Sequence, residues 1–375
     1  MLTEHFHNTQ KDTGHYSNDL RYVLSLQNTI AAFEEIKTWE GYAKTPLHSL
    51  DSMASDIGVK NIYYKDESSR FGLGSFKALG GTYGVLKFIH HALKKEIGDE
   101  VSMKDIHAGK YSEQISKYTV TTATDGNHGR SVAFGAKLFG CKCQIYIHSE
   151  VSSGRQKAME DLEATVNRVS GNYDESLQIC IEDAGKNNWY VISDTSYEGY
   201  TKYPRYIMAG YNVMAEEIID QIKDRPLPTH VFLQGGVGSF PGAICGYFWE
   251  KFPGNNIKFV VVESEHAPCL IRSAQNNQMT SVNIKQETMM AGLSCGEPSL
   301  LGWEILKSGT DDFITINDSS IPGLMRLLAK NNLKIEAGES SVAGLAGLIE
   351  SMEDQKIAET MELDKESIVL LFGTE

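Results

Sequence analysis

Short apolar segments alternate along most of the chain with longer segments that have the apolar spacing of a helix, and this alternation constrains the fold most. A strand that is apolar on both faces suits a sheet covered on both sides, and a helix between two such strands connects them in parallel. The pattern therefore predicts an α/β protein with open, mostly parallel sheets flanked by helices. The predicted strands are 59–64, 118–123, 143–148, 189–194, 230–234, 258–263, 313–317 and 367–372, and segments 131–140 and 320–330 are predicted helices.

Two parts of the chain lack this pattern. The first twenty residues are polar, and we expect them to be poorly ordered. Residues 96–116 are charged and irregular, which is typical of a surface insertion.

Composition and charge exclude several classes of protein. The net charge of -14 disfavours a nucleic-acid-binding protein, which usually carries a basic face. No apolar run approaches the roughly 18 residues of a membrane helix, and the polar N-terminus does not resemble a signal peptide. The six cysteines are scattered without a CxxC pair. They predict reduced thiols in the cytoplasm, without disulfides or a metal site.

Lys77 is the only charged residue in the stretch "FGLGSFKALGG" (71–81). An ammonium group in apolar surroundings is costly unless it is paired or loses its proton. One interpretation is a lysine that extends from the start of a helix into water. The other is a neutral amine that attacks a carbonyl group.

The stretch "QGGVGS" (234–239) follows a predicted strand and precedes a predicted helix. Its glycines allow a tight turn that exposes consecutive N–H groups, and together with a helix N-terminus these can bind a phosphate. The spacing fits neither of the common nucleotide-binding loops. The alternative is an ordinary strand-to-helix turn.

Two more turns place polar residues at the ends of predicted strands. In "TDGNHG" (124–129), Asp125 or Asn127 could simply cap the following helix, and His128 could be a buried, hydrogen-bonded histidine. In "SDTSYEG" (193–199), Asp194 could be a turn residue or a site residue.

The order of these features resembles the fold-type II pyridoxal-phosphate (PLP) enzymes, which include serine and threonine dehydratases, threonine synthase and cysteine synthase. Within that group, "GSFKALGG", "TATDGNHGR" and "DTSYEGY" resemble the diaminopropionate ammonia-lyases in particular. Dehydratases usually have a serine in place of Asp125 and an arginine in place of Leu79. Both differences point away from a dehydratase.

The resemblance implies a role for each matching residue. Lys77 would form an imine with the PLP aldehyde, Phe76 would pack beside it, Asn127 would bind the ring 3-oxygen, and Thr374 would face the ring nitrogen. Asp125, Asn127, His128 and Asp194 would contact the substrate, and both aspartates would be catalytic, Asp125 with the D isomer and Asp194 with the L isomer. The phosphate would be held by Gly235, Gly236, Val237, Gly238 and Ser239.

The resemblance also implies an architecture and a reaction. A large PLP-binding domain (1–88 and 191–375) would contain a small inserted α/β domain (89–190), with PLP between the two, and the protein would be a homodimer. The reaction would be α,β-elimination of 2,3-diaminopropionate to pyruvate and ammonia. The alternatives are a serine or threonine dehydratase, a non-catalytic PLP-binding protein and a nicotinamide-dependent enzyme. For a nicotinamide-dependent enzyme, the sequence offers no GxGxxG motif after a predicted strand.

Overall fold

The computed structural model of the protein describes residues 2–12, 14–124, 126–171 and 173–375, with all of their side chains except those of Tyr173 and Asp174. The chain forms two compact units. The first comprises Met1–Phe76, Thr195–Gly199 and Tyr211–Glu375, and the second comprises Lys77–Asp194 and Tyr200–Gly210. The predicted boundary at 88/89 falls within one uninterrupted helix that begins at Lys77 and continues past residue 88. The predicted boundary at 190/191 lies four residues before the limit at Asp194.

The described residues contain eleven strands: β1 (Leu2–His7), β2 (Leu47–Ser49), β3 (Asn61–Asp66), β4 (Thr119–Ala123), β5 (Lys142–Ile147), β6 (Thr165–Arg168), β7 (Tyr190–Val191), β8 (His230–Gln234), β9 (Lys258–Ser264), β10 (Asp312–Ile316) and β11 (Ile368–Gly373).

The α-helices are α1 (Asn18–Val23), α2 (Leu26–Ile36), α3 (Asp51–Ile57), α4 (Lys77–Ile97), α5 (Met103–His107), α6 (Ser112–Ile115), α7 (Asn127–Phe139), α8 (Ser153–Glu160), α9 (Tyr173–Asn187), α10 (Lys202–Tyr211), α11 (Val213–Gln221), α12 (Ser239–Lys251), α13 (Cys269–Asn276), α14 (Leu300–Gly309), α15 (Ile321–Lys330), α16 (Ala343–Glu353) and α17 (Gln355–Met361). Short 3₁₀ turns occupy Arg70–Gly72, Ala291–Leu293, Asp318–Ser320 and Ser340–Val342.

The first unit is built on a seven-stranded sheet in the order β1-β10-β9-β8-β11-β3-β2. The five inner strands are parallel, and the edge strands β1 and β2 run antiparallel to their neighbours. The inner strands are buried along almost their whole length, which is why they read as continuous apolar runs in the sequence.

The second unit has a parallel four-stranded sheet in the order β6-β5-β4-β7. Helices α7 and α9 pack on β4 and β5, and α4 packs along α7. The predicted fold class, an α/β protein with mostly parallel sheets, is confirmed by both units.

The prediction of a poorly ordered N-terminus is wrong. Residues 2–7 form β1, which pairs with β10, and both His5 Nε2 (2.8 Å) and His7 Nδ1 (2.9 Å) contact Oδ1 of the buried Asp312. The 96–116 segment is also more regular than predicted, because it contains α5 and α6 and buries Ile106 and Ile115. Strands β2 and β6 were not predicted.

A buried ionic network lies beside the segment that leads to α4. Arg70 donates to both carboxylate oxygens of Glu67 (2.8 and 2.9 Å) and to both oxygens of Glu217 on α11 (2.9 and 2.8 Å). Lys65, at the end of β3, donates to Glu217 at 2.7 Å and to the carbonyl oxygen of Thr45 at 2.9 Å. Two cations and two anions therefore compensate each other in a site without water access.

This network fixes the course of the chain before α4. The Glu67 N–H donates to the Gly373 carbonyl at 2.8 Å, and the Phe76 N–H donates to the Thr374 carbonyl at 3.0 Å. Arg70 lies in the middle of this segment and donates to Glu217 on α11. Residues 67–76 are therefore attached to the end of β11 at both ends and to α11 in the middle.

We predict that Glu217→Gln destabilises the protein by about 3–5 kcal/mol, because it leaves Arg70 and Lys65 buried with a single carboxylate. Urea unfolding measures the loss. The matched control is Lys60→Ala, which breaks the exposed Lys60–Glu366 pair and should cost at most about 1 kcal/mol. Equal losses in the two variants would contradict the role of the network.

The same variant should change the dependence of stability on pH. Burial alone would raise the pKa of Glu217, but Arg70 and Lys65 together hold it below its ordinary value. A lowered native pKa contributes stability that is present above the ordinary pKa of glutamate and is lost as the pH falls through the native pKa. The acid limb of the stability curve should therefore be shallower in Glu217→Gln than in the natural protein.

Candidate active site

Lys77 is the first residue of α4, and its amine is paired with Asp194 in the same unit. Nζ donates to Asp194 Oδ2 at 2.8 Å, and the two side chains are 25% and 17% exposed. An opposite charge at this distance favours the ammonium form. The stretch around Lys77 shows no such partner because the carboxylate comes from a turn 117 residues away.

His128 lies behind this pair on α7. Its Nε2 is 2.8 Å from the Ile192 carbonyl oxygen, which can only accept, so Nε2 carries a hydrogen. Nδ1 then faces Asp194 Oδ2 at 3.7 Å and has no hydrogen-bond partner among the described residues. Burial lowers the pKa of His128, although the charge of Asp194 opposes this shift. A buried, hydrogen-bonded histidine is the arrangement that the sequence allowed as an alternative to a substrate ligand.

Tyr200 holds the turn that carries Asp194. Its hydroxyl accepts from the Ser193 N–H at 3.0 Å and donates to the Val191 carbonyl at 2.9 Å. Burial would raise the pKa of Asp194, but His128 and Lys77 outweigh this effect and hold the pKa below its ordinary value. Asp194 is therefore an ionised carboxylate in a fixed position. Tyr200 is the last letter of "DTSYEGY" and was not predicted as a site residue.

The turn before α7 is organised by Thr124. Its Oγ1 accepts from the N–H groups of Gly126 and Gly129, both at 3.1 Å. Thr124 thus caps the helix, a role that the sequence suggested for Asp125 or Asn127. Asn127 is the first residue of α7 and is half-buried. The other candidate in this turn, Asp125, lies outside the described residues.

In the first unit, residues 235–238 form the glycine-rich loop between β8 and α12. The Gly235 N–H continues the sheet by donating to the Val262 carbonyl at 2.8 Å, so it is unavailable to a ligand. The next three N–H groups, of Gly236, Val237 and Gly238, donate to no acceptor in the described parts of the chain. Gly238 has a φ of +95°, which orients the loop at the N-terminus of α12.

Three adjacent N–H groups without an acceptor at a helix N-terminus fit a phosphate dianion. Buried N–H groups are almost always bonded, so a loop that leaves several of them open is built for a ligand. Within the predicted loop, the N–H groups of Gly236, Val237 and Gly238 are therefore placed to bind a phosphate, whereas the N–H of Gly235 is already used by the sheet.

Gln234, the residue before this loop, connects the loop to the end of β11 by hydrogen bonds. Gln234 Nε2 donates to Thr374 Oγ1 at 3.1 Å and to the Phe372 carbonyl at 2.8 Å. Since Thr374 Oγ1 accepts from Gln234, its own hydrogen is left for another acceptor, and Ser341 Oγ is 3.5 Å away. Gln234 was not predicted as a site residue. The sequence feature that could have identified it is a polar residue at the end of an apolar strand.

Phe76 is buried in an aromatic cluster of the first unit. Its ring centroid lies 4.7 Å from that of Tyr211 and 4.9 Å from that of Phe240. The ring of Phe240 in turn contacts Phe372 at 5.3 Å. This packing fixes the residue immediately before Lys77.

Comparisons with known proteins identify the family of the chain. The family model "Pyridoxal-phosphate dependent enzyme" matches residues 38–373. The diaminopropionate ammonia-lyase of Escherichia coli (strain K12) is 37% identical over 343 residues, which cover 89% of this chain and 85% of that protein. The chain belongs to the diaminopropionate ammonia-lyase family of PLP-dependent enzymes. The corresponding Salmonella typhimurium enzyme is also 37% identical, over 94% of this chain and 91% of its own.

A solved structure extends the comparison to the fold. The Escherichia coli diaminopropionate ammonia-lyase, in complex with an aminoacrylate–PLP azomethine reaction intermediate, superposes with a TM-score of 0.88 at 34% identity. The alignment covers 100% of this chain and 94% of that one. The predicted family, fold class, enzyme class and cofactor are therefore confirmed.

Other kinds of site have less support in this member of the ammonia-lyase family. No group of three His, Cys, Asp or Glu residues within the described ranges is placed to hold a metal ion. None of the helices described is long and apolar enough to cross a bilayer. All six cysteines are free thiols.

One residue that supports the phosphate loop was missed by the sequence analysis. Gly302 on α14 packs so closely on the loop that a Cβ there would lie 2.6 Å from the Gly238 carbonyl oxygen. Only a glycine lets α14 approach this far. The sequence signal was a small residue within the apolar helix "LLGWEIL", which is too common a pattern to identify a contact.

We predict that Gly302→Ala weakens PLP binding, because the added methyl group displaces the Gly238 carbonyl and the loop with it. Overpacking typically costs about 1–3 kcal/mol, so the Kd for PLP should rise at least about fivefold. Absorbance titration of the apoenzyme measures it. Gly323→Ala on α15 is the control, since nothing lies within 4 Å of a Cβ there. An unchanged Kd in Gly302→Ala would refute the contact's importance.

Proposed function

We propose that this chain catalyses the PLP-dependent α,β-elimination of 2,3-diaminopropionate to pyruvate and ammonia. The observation that carries the proposal is the pairing of Lys77 with the ionised Asp194 in a half-enclosed site. A dehydratase of serine has no cationic side chain on its substrate to pair with such a carboxylate.

PLP, when bound, supplies an electron sink that stabilises negative charge at the substrate α-carbon. Lys77 would hold it covalently through Nζ, and the open N–H groups of Gly236, Val237 and Gly238 would bind its phosphate, with Ser239 at the start of α12. Asn127 would donate to the ring oxygen, and the Thr374 hydroxyl would donate to the ring nitrogen. A hydroxyl donor leaves the ring less strongly protonated than a carboxylic acid would.

Asp194 has two tasks in this proposal. It accepts a hydrogen bond from the Lys77 ammonium, so it holds the lysine side chain in a fixed position at the start of α4. Once Lys77 is engaged elsewhere, its ammonium group no longer pairs with Asp194. The second ammonium group of diaminopropionate can take that place, which favours this substrate and keeps the leaving nitrogen protonated.

His128 would act on Asp194 rather than on the substrate in this proposal. Its Nε2 is fixed on the Ile192 carbonyl and its Nδ1 faces the carboxylate, so the ring would attract Asp194 when Nδ1 also carries a proton. Asp125 would supply the second carboxylate, as its place in the family motif implies.

We expect Lys77 to be the residue that carries PLP. After reduction with borohydride, mass spectrometry should find the cofactor on the peptide that contains Lys77, because this lysine begins α4 and its amine is held in place by Asp194. Lys77→Ala should retain weak PLP binding through the phosphate loop and lose nearly all activity. Label on a different lysine would rule out the assignment.

A panel of amino acids tests the substrate. The kcat/KM for diaminopropionate should exceed that for L-serine by about a hundredfold, because serine leaves the carboxylates without a partner at a cost of about 3 kcal/mol. Pyruvate formation is the measured quantity, with L-threonine and D-serine as further substrates. Equal kcat/KM values for L-serine and diaminopropionate would favour a dehydratase, and bound PLP without any turnover would favour a non-catalytic protein.

The two aspartates should differ in their effect on the two isomers. A single base cannot reach hydrogens on opposite faces of a planar cofactor, because proton transfer requires an approach of about 2.6–3.2 Å. We expect Asp194→Asn to reduce kcat mainly for the L isomer and Asp125→Asn mainly for the D isomer. Equal losses for both isomers in both variants would leave the aspartates only the binding of the side-chain ammonium.

We also propose that the enzyme acts in the cytoplasm as a homodimer and takes part in amino-acid degradation. The six free thiols support a reducing compartment. Sedimentation equilibrium of the holoenzyme measures the oligomeric state, and a monomer at micromolar concentration would contradict this part of the proposal.

A further inference from the structure

Glu263, near the end of β9, is a completely buried acid that the proposed function does not use. Its two carboxyl oxygens accept hydrogen bonds from the N–H groups of Leu270 and Ile271, both at 2.7 Å. These are among the first N–H groups of α13, and Pro268, at the cap position, makes no side-chain bond to them. Glu263 therefore takes the place of the missing cap and fixes the first turn of α13.

The first turn of α13 packs directly on the phosphate loop. A Cβ at Gly235 would lie 2.9 Å from Cδ1 of Leu270, and a Cβ at Gly238 would lie 3.0 Å from Cδ2 of the same leucine. The thiol of Cys269 donates to the Gly236 carbonyl oxygen at 3.6 Å. All of these residues belong to the first unit, so the loop and its support are parts of one compact body.

The Glu263 side chain also lies close to the loop itself. Its Cγ would be 3.2 Å from a Cβ at Gly235, the residue before the three open N–H groups. An ionised carboxylate in this place would repel the dianion that those groups bind, because like charges interact strongly in buried surroundings. A protonated carboxyl removes this repulsion, and its oxygens retain lone pairs for the N–H groups of α13.

The charged surroundings of Glu263 agree with a proton on its carboxyl at neutral pH. Burial raises the pKa of Glu263 to about 8, although the N–H groups of α13 oppose this shift. Burial also holds the pKa of Cys269 well above that of an ordinary thiol, and Thr315, beside Glu263 on β10, does not ionise. The other titratable groups nearby are Arg272 on α13, Glu4 on β1, which pairs with Arg272 at 2.6 Å, and Cys295, which acts on Cys269.

We propose that Glu263 is a positioning residue that holds the phosphate loop through α13 and makes the binding of a phosphate group depend on a proton at its carboxyl. When the dianion binds to protein in which Glu263 is ionised, the carboxylate takes this proton from the solvent. Glu263 acts through α13 and the local charge, without touching the substrate. The proposal rests on the assignment of the loop to the PLP phosphate, but not on the identity of the substrate.

The direction of the pH dependence follows from the like charges. A bound dianion raises the pKa of Glu263 further, so the bound form keeps the proton to a higher pH than the free form. Well below the pKa of about 8 both forms hold the proton, and this group does not affect the Kd. As the pH rises above that value the free form loses the proton first, and the Kd rises by up to about tenfold per pH unit.

Titration of the apoenzyme with PLP, followed by absorbance from about pH 6.5 to about pH 9.5, tests the proposal. Glu263→Gln keeps the size but accepts at only one of its two terminal atoms, so it should raise the Kd about fivefold at the acid end. The ratio of this Kd to that of the natural protein should then fall at least about threefold by the alkaline end, because only the natural protein gains the charge. Lys77 and Cys295 are present in both proteins, so their titration cancels in the ratio.

The matched control is Glu265→Gln, the same change two residues later on an exposed residue. Its Kd should equal that of the natural protein at every pH. A Kd for Glu263→Gln within twofold of the natural value at the acid end would overturn the proposal, and so would a ratio that stays constant with pH.

A second measurement needs no variant. Sulfate is a dianion that does not titrate in this range, and calorimetry of its binding to the natural apoenzyme, in buffers of different ionisation enthalpy, counts the protons taken up. We expect about half a proton at about pH 8.5 and almost none at about pH 6.5. Binding without proton uptake at the higher pH would overturn the role of Glu263.

The outcomes also separate this proposal from the assignments on which it rests. Sulfate that fails to compete with PLP would overturn the assignment of the loop, and the role of Glu263 with it. Since PLP and sulfate binding are measured without substrate, the results are independent of whether diaminopropionate is turned over.

Discussion

The buried network of Lys65, Glu67, Arg70 and Glu217 is the interaction on which the site depends most. Four charges are removed from water, and their mutual hydrogen bonds offset the large cost of desolvation. Apolar residues could fill the same space, but they would not fix the direction of the segment between β3 and α4. The network provides that direction, and the residue that follows the segment is Lys77.

The inner strands could be predicted from the sequence because burial on both faces leaves a local signal. Strand β8 begins and ends at the predicted residues, and β9 differs by one residue. The predicted strand 189–194 shortens to β7, since the hydroxyl of Tyr200 turns the chain after Val191. Strand β1 was missed because its polar residues have partners on β10, about 300 positions away.

In the candidate site too, features within a short stretch of sequence could be predicted, and contacts between distant stretches could not. The glycine loop and the position of Lys77 could be predicted, because turn residues and a lone lysine are visible in a few letters. The pairing of Lys77 with Asp194 and the use of the Gly235 N–H by Val262 could not be predicted, since both join separate parts of the chain. The family resemblance supplied roles for residues, but the electrostatic state of Lys77 followed only from distances.

The N-terminal strand also has a consequence for solubility. Strand β10 is parallel to β9 on one side, and on the other side only β1 covers its backbone groups. An uncovered edge strand with an apolar sequence is a template for pairing with another molecule. The contacts of His5 and His7 with Asp312 therefore do more than order a chain end, because they hold β1 over the apolar β10, so that a more polar strand forms this edge of the larger sheet.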